Sequence, residues 1–395
     1  MVTSHRGRAT RVALGLALVA LVAAVGFRAA PAREAFDAWT LSGTSTPALL
    51  ARALVVRTRN AARMREYAAA LQRGKPLAGV RVLVTGATSG LGLGIAGQLA
   101  LAGAHLVCPH RRPMAAGELA AAIARSANDA LREFDGKSGD AADAERTAPL
   151  SAQEVDVLGV PGFDLSSFGA IERTAAELAR AGVHVSAIVN NAGLVSVSGA
   201  ATEQGFEQTF GVNFVGTAYW TQLLRQHAVI GRGARVIMVG SEEHRQHALE
   251  PDAAEPLGAP TRASWANAMA RYGRSKLLLC AYAHELGRRW RADEIAVYDA
   301  CPGPVASDIA RDAPAPVALA LAAVLRWTFP SAAEAALPVI ALAVDDAFAF
   351  GARAPVHHHM SEPRQAGGNA SDELLGAWVW ARAQELIAAR RPAVV

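Results

Sequence analysis

Tyr272 and Lys276 stand four residues apart in the run Tyr272-Gly273-Arg274-Ser275-Lys276. On a helix that spacing puts both side chains on one face, about one turn apart. A free phenol titrates near ~10 and is a poor base at neutral pH. A neighbouring ammonium favours the phenolate and moves its titration toward the working range, which suits the pair to general acid–base work. Ser241 closes a short apolar run at 236–239 and offers a hydroxyl that can hold a substrate oxygen during proton transfer. Alone, Tyr-x-x-x-Lys equally describes an amphipathic surface pair. The catalytic reading rests on what precedes it in the chain.

What precedes it is a nucleotide cradle. The β-branched run at 80–84 reads as a buried parallel strand and leads into Thr85-Gly86-Ala87-Thr88-Ser89-Gly90-Leu91-Gly92, after which 93–101 has helical character. Glycines permit the tight turn and close backbone approach, and the helix N-terminus offers free N–H groups to a pyrophosphate. A lone glycine pattern also punctuates ordinary loops, so its position between strand and helix carries the argument. The next strand, 105–108, is followed by Pro109, His110, Arg111 and Arg112. Dinucleotide folds read the adenosine ribose there, with an acid for the free hydroxyl of NAD or an arginine for the 2′-phosphate of NADP. Two arginines and no acid favour NADP over NAD. A solvated basic loop is the bland alternative.

These groups need elements to hold them. A third strand ending near Phe163 and Asp164, with a helix capped at Ser166 or Ser167, follows a charge-mixed insertion at about 135–155. A strand at 185–189 ends in Asn190-Asn191-Ala192-Gly193, and an amphipathic helix over 206–224 carries Asn213. The alternation predicts an α/β fold, a doubly wound parallel sheet of the Rossmann type, over residues 78–390.

Ahead of that domain, Arg6, Arg8 and Arg11 precede an apolar run at 12–27, then Arg28, Pro31 and Arg33. Segment 1–33 reads as an N-terminal apolar anchor helix or as a signal peptide, and 34–77 as a basic helical connector. Residues 1–75 hold 12 Lys+Arg against 3 Asp+Glu, so the overall charge of +4 comes from this segment and the rest of the chain is acidic. A basic stretch beside an apolar run fits an anionic membrane surface, and no nucleic-acid module is visible. NADPH chemistry favours an anchored protein with a cytosolic domain over a secreted one. Cys108, Cys280 and Cys301 sit apart in apolar contexts, as buried thiols do.

Several motifs occur in order: Thr85-Gly86-x-x-x-Gly90-x-Gly92, Asn190-Asn191-Ala192-Gly193, Asn213, Ser241, Tyr272-x-x-x-Lys276 and Pro302-Gly303. In these the chain resembles the short-chain dehydrogenase/reductase family. In Gly205-Phe206-Glu207, Ser241-Glu242-Glu243-His244-Arg245 and the aromatic C-terminal stretch with Trp378 and Trp380, it is similar to the retinol dehydrogenase and WW-domain oxidoreductase branch, without a visible WW domain. The resemblance implies hydride transfer between a nicotinamide and an alcohol/carbonyl pair. Tyr272 would be the acid/base, Lys276 would lower its pKa and bind the nicotinamide ribose, Ser241 would orient the carbonyl, and Asn213 would hold a relay water. Asp164 would meet the adenine, Asn190 with Ala192 and Gly193 would lie along the cofactor, and Pro302 with Gly303 would flank the nicotinamide. Thr85, Gly86, Ser89, Gly90, Leu91 and Gly92 would form the phosphate turn, with Arg111 and Arg112 beside it.

Departures from the branch are Phe214 in place of a frequent histidine, Gly240 in place of a frequent serine, Ser307 in place of threonine, and the Pro109-His110 pair. Substrate choice in the family sits after Pro302-Gly303. Here 313–330 contains Val324, Leu325, Trp327 and Phe329, which reads as a greasy entrance for a lipophilic substrate or as a plain core helix. Members commonly pair through helices, which makes a homodimer one candidate assembly, but nothing in this sequence selects it. His357-His358-His359 does not face one metal from a strand or helix, and no metal site is expected. A non-catalytic NADP-binding sensor on the same fold is the rival class, and such proteins usually lose the tyrosine, lysine or glycines kept here.

Overall fold

The computed structural model describes residues 75–135, 148–250, 265–303, 330–351, 356–359, 362–363 and 366–391. The expected anchor, nearly all of the connector, the core of the 135–155 insertion, Ser307 and the expected entrance segment up to Phe329 lie outside these residues. Among the described residues no helix is long and apolar enough to cross a membrane.

Eight strands form one sheet in the order β3-β2-β1-β4-β5-β6-β7-β8. They are β1 (Arg81–Val84), β2 (His105–His110), β3 (Val157–Pro161), β4 (Val185–Asn190), β5 (Ile230–Val239), β6 (Ala296–Cys301), β7 (His357–His359) and β8 (Glu362–Pro363). The first seven pair in parallel, and β8 returns antiparallel on the edge. This is the doubly wound order, and its switch point, the crevice between β1 and β4, is where such sheets bind ligands.

Each face is covered by helices. On one side lie α1 (Gly90–Leu101), α2 (Glu118–Asp135) and α6 (Ala332–Val344), packing Ile95, Leu99, Ile123, Leu337 and Ile340 against the strands. On the other lie α3 (Phe168–Arg180), α4 (Thr217–Gln226), α5 (Trp265–Arg289) and α7 (Glu373–Ala388), packing Phe168, Ile171, Trp220, Tyr282 and Val379. The long apolar run of α6 is thus a domain helix, as its Ser331–Glu334 capping box and burial require.

Some boundaries differ from the sequence reading. β2 runs on through Pro109 and His110, because the parallel partner β3 continues beside them at Val160 and Pro161. The third strand ends at Pro161; beyond it the Phe163 N–H donates to His110 O at 3.1 Å and its ring packs on Trp220. Ser167 caps α3, as expected. The helix expected over 206–224 begins at Gln208, where buried Glu207 accepts from the N–H groups of Thr209 and Phe210, both at 3.0 Å. It then passes through a π-helical stretch, Gly211–Gly216, before continuing as α4.

Candidate active site

The strand-to-helix turn after β1 is built for close approach. Gly86 and Gly90 have φ of +72° and +54°, a region L side chains avoid. A β-carbon on Gly92 would run into the carbonyl of Gly86 and the side chain of Asn191. Asn191 Nδ2 donates to Thr85 O at 2.9 Å, and Thr85 Oγ1 accepts from the N–H groups of Asn191 and Ala192, both at 3.0 Å. Thr85 is therefore a strut between the two loops that flank the crevice. Asn191, part of a quoted motif but given no role of its own, is the second strut.

Ser89 is exposed and its side chain caps nothing. The first-turn N–H groups at Gly90, Leu91 and Gly92 stay available to an outside acceptor, which is what a pyrophosphate requires. The residues present fit a nicotinamide dinucleotide on that ground. Arg111 and Arg112 follow the last residue of β2 and are both exposed. Asp164 accepts from Ser166 N at 2.8 Å and Ser166 Oγ at 2.7 Å, so its carboxylate shapes the turn into α3. Asn190 is buried at the end of β4 and donates to Thr221 Oγ1 at 2.9 Å. Pro302 is buried and Gly303, at φ +78°, follows β6.

The expected acid–base group comes together at the ends of β5 and α5. Tyr272 stands within the influence of the Ser241 hydroxyl, which favours its phenolate. Lys276 Nζ lies 5.7 Å from the centre of the Tyr272 ring and donates to Val239 O at 2.7 Å. Burial pushes the phenol up to about 12, while the Ser241 hydroxyl opposes that rise. Burial also pulls Lys276 down to about 8. Loss of hydration is the largest influence on both groups.

Asn213 sits in the π-helical stretch. Its Oδ1 accepts from Leu194 N at 2.8 Å, and its Nδ2 donates to Leu194 O at 2.9 Å and to Ser275 Oγ at 3.1 Å. Its side chain is committed to the loop and to α5 rather than to an open water position. Gly193 keeps the passage between them clear, since a β-carbon there would stand 3.2 Å from Asn213 Oδ1 and 3.5 Å from Lys276 Nζ.

Two further tethers position Tyr272. Arg271 reaches the buried Glu207 at 3.3 Å and donates to Ser196 O at 3.0 Å. His244, buried in the turn at Glu242–Gln246, places Nδ1 2.5 Å from Ser241 O. These residues lack a spacing signal that sequence alone could read, although His244 fell inside a quoted motif.

Comparison with known proteins supports the same reading. The family model described as short chain dehydrogenase matches residues 138–250. The WW domain-containing oxidoreductase of Drosophila melanogaster is 30% identical over 282 residues, covering 69% of this chain and 62% of that protein. Retinol dehydrogenase 14 of Mus musculus is 28% identical over 252 residues, covering 64% and 69%.

In these stretches the chain is similar to the short-chain dehydrogenases. It spans less than two-thirds of the length of the fruit-fly relative. A crystal structure of an uncharacterized protein from Mycobacterium Paratuberculosis shares the fold, with a TM-score of 0.53 and 23% identity over 80% of this chain and 96% of that one. Within the family frame, the strand-ending serine, the helix-borne tyrosine and lysine, and the glycine turn occupy one end of the sheet, at the crevice between β1 and β4 and the neighbouring strand β5.

Proposed function

We propose that this protein is an NADP-dependent oxidoreductase that moves a hydride between the nicotinamide and a lipophilic alcohol or carbonyl compound. The observation that carries this is the placement of Lys276 Nζ 5.7 Å from the Tyr272 ring, beside Ser241, at the same sheet end as the glycine turn. A bound nicotinamide supplies or accepts the hydride. The chain's own residues do the rest. Ser241 holds the substrate oxygen, and Tyr272 gives it a proton in reduction or takes one in oxidation. Lys276 holds the ribose and favours the phenolate. With its carbonyl bond to Val239, Lys276 is already aimed along the strand end. Asn213 and Gly193 fix the loop beside it.

The coenzyme preference rests on Arg111 and Arg112, exposed and unpaired with any acid on their own strand end, where a 2′-phosphate would lie. The lipophilic substrate class is supported by the retinol dehydrogenase among its relatives and by the apolar run before Pro330. That substrate class suits a protein tethered through its N-terminal apolar segment, with the catalytic domain in the cytosol.

The deciding experiment is NADPH oxidation by the full-length chain in detergent against apolar aldehydes and ketones, beside Tyr272→Phe. Turnover that vanishes in the variant supports the reading. NADPH binding without turnover on any carbonyl would favour a cofactor-binding sensor.

A further inference from the structure

Behind the reaction centre lies a buried carboxylate that the chemistry above does not use. Asp299, in β6, has no solvent exposure. Its Oδ2 stands 2.5 Å from His357 Nδ1, and Cys280 on α5 lies within its influence. Its Oδ1 lies against Gly240, in the space a β-carbon there would take. Gly240 joins Ser241 to Val239, and Val239 O receives Lys276 Nζ at 2.7 Å. The departure to glycine at position 240 thus has a physical cause: the carboxylate fills the place of its side chain.

The surroundings are crowded with titratable groups. His244 faces Asp299 from the turn after Ser241, Cys280 and His284 from α5, His357 from β7, and Cys301 from its own strand, while Arg245 acts on Cys280 and His357. Glu242 and Glu243 act in other directions, on Cys301 and Tyr272. Among the described residues, Asp299 is the carboxylate whose field reaches Lys276.

His244, Cys280 and His357 approach one another closely enough to hold a metal ion. Their donor atoms are already engaged, however. His244 Nε2 accepts the Gly367 N–H at 3.0 Å while Nδ1 meets Ser241 O. His357 Nε2 faces the Arg245 guanidinium at 3.4 Å. A cation would displace a backbone donor and meet a guanidinium, so the cluster is a hydrogen-bonded network around the carboxylate.

A buried ammonium needs a counter-charge. Lys276 is only 4% exposed, and its bond to Val239 supplies a dipole, not a charge. Without a negative partner, burial drives an amine to its neutral form. The His357 hydrogen bond and the neighbouring imidazoles hold Asp299 below the ordinary carboxylate range, although burial itself pushes it up.

We infer that Asp299, kept ionised by His357, is a positioning residue: the buried counter-charge that keeps Lys276 an ammonium beneath Ser241 and Tyr272. Its value for hydride transfer rests on the function proposed above, but the charge relationship is measurable without it.

The sequence contains three lysines, Lys75, Lys137 and Lys276. Full-length protein carrying 13C-lysine therefore gives three side-chain Cε signals, and Lys276→Met assigns the one that matters. In the wild type the Lys276 signal titrates near 8. In Asp299→Asn, which keeps the shape and removes the charge, the midpoint falls by about one to three pH units. An unchanged midpoint in the folded variant overturns the inference. Should Asp299→Asn not fold, His357→Leu carries the test: a buried carboxylate without its donor takes up a proton, and the Lys276 midpoint falls in the same direction. An unchanged midpoint there overturns it equally. Because neither cofactor nor substrate is present, a chain that reduces nothing still gives a decisive titration.

Discussion

Asn213 clasps both backbone groups of Leu194, accepting its N–H at 2.8 Å and donating to its carbonyl at 2.9 Å. One side chain thereby fixes the loop that follows β4 to the π-helical stretch and, through Ser275, to the helix that carries Tyr272 and Lys276. Asn213→Asp keeps the acceptor but replaces the donor with a carboxylate oxygen facing the Leu194 carbonyl and the Ser275 hydroxyl oxygen. We expect a loss of about 1–3 kcal/mol in stability, the cost of leaving buried polar groups unpaired. Urea unfolding beside Asn213→Ala measures it. A fully stable Asn213→Asp would mean the clasp is not the main role of this residue.

Tyr272→Phe removes the proton that the proposed reaction needs and leaves the glycine turn untouched. Turnover should fall by about 10²–10⁴-fold, the usual contribution of a positioned acid or base, with NADPH affinity within a few-fold of wild type. Ser241→Ala should lower turnover less, since it removes the hydroxyl beside the phenol and the hold on substrate oxygen but not the proton donor. Single-turnover rates and fluorescence titration of NADPH separate the two effects. A Tyr272→Phe protein as active as wild type would remove Tyr272 from the chemistry.

Much of this site was legible because its motifs are local. The glycine turn lies between a strand and a helix, and Tyr272 and Lys276 lie one turn apart, so spacing alone places them. The doubly wound parallel sheet followed from alternating elements. The supporting residues were not legible for the opposite reason. Asp299 and His357 are 58 positions apart and meet only because β6 and β7 pair. The His357–His359 run looked idle because alternate residues of a strand face opposite ways. In the structure His357 meets Asp299 while His358 packs edge-on to Tyr298 and Phe348. Asn369, a nominal glycosylation sequon, is engaged at both ends with Leu249. The burial of the phenol was not legible either, because spacing shows the neighbouring lysine but not the packing around the ring.

Acid should weaken the fold through His284. Burial pulls this imidazole down to about 4 from an ordinary value near 6.5. Between those values the unfolded chain binds a proton that the folded chain refuses, so stability is lost as pH falls from 6.5 toward 4. The cost from pH 6.5 to 5 is about 2 kcal/mol for one proton. His284→Leu should lose correspondingly less over the same interval, by urea unfolding at both values. Parallel losses in the two proteins would place the acid sensitivity elsewhere, with His244 and His247, both also depressed by burial, as the next groups to replace.

Arg111 and Arg112 stand exposed after His110, where the second strand delivers them beside the proposed ribose position. If a 2′-phosphate docks there, replacing both with alanine removes charge-assisted hydrogen bonds of about 1.5–3 kcal/mol each at most. Because the pair is open to solvent and salt, the lower part of that range applies. NADPH should bind about a hundred-fold more weakly, while NADH, which lacks the phosphate, should bind as before. Raising the salt concentration should narrow the difference between wild type and variant. Equal losses for both coenzymes would assign the arginines a general electrostatic role, and no loss for either would return the coenzyme preference to NAD.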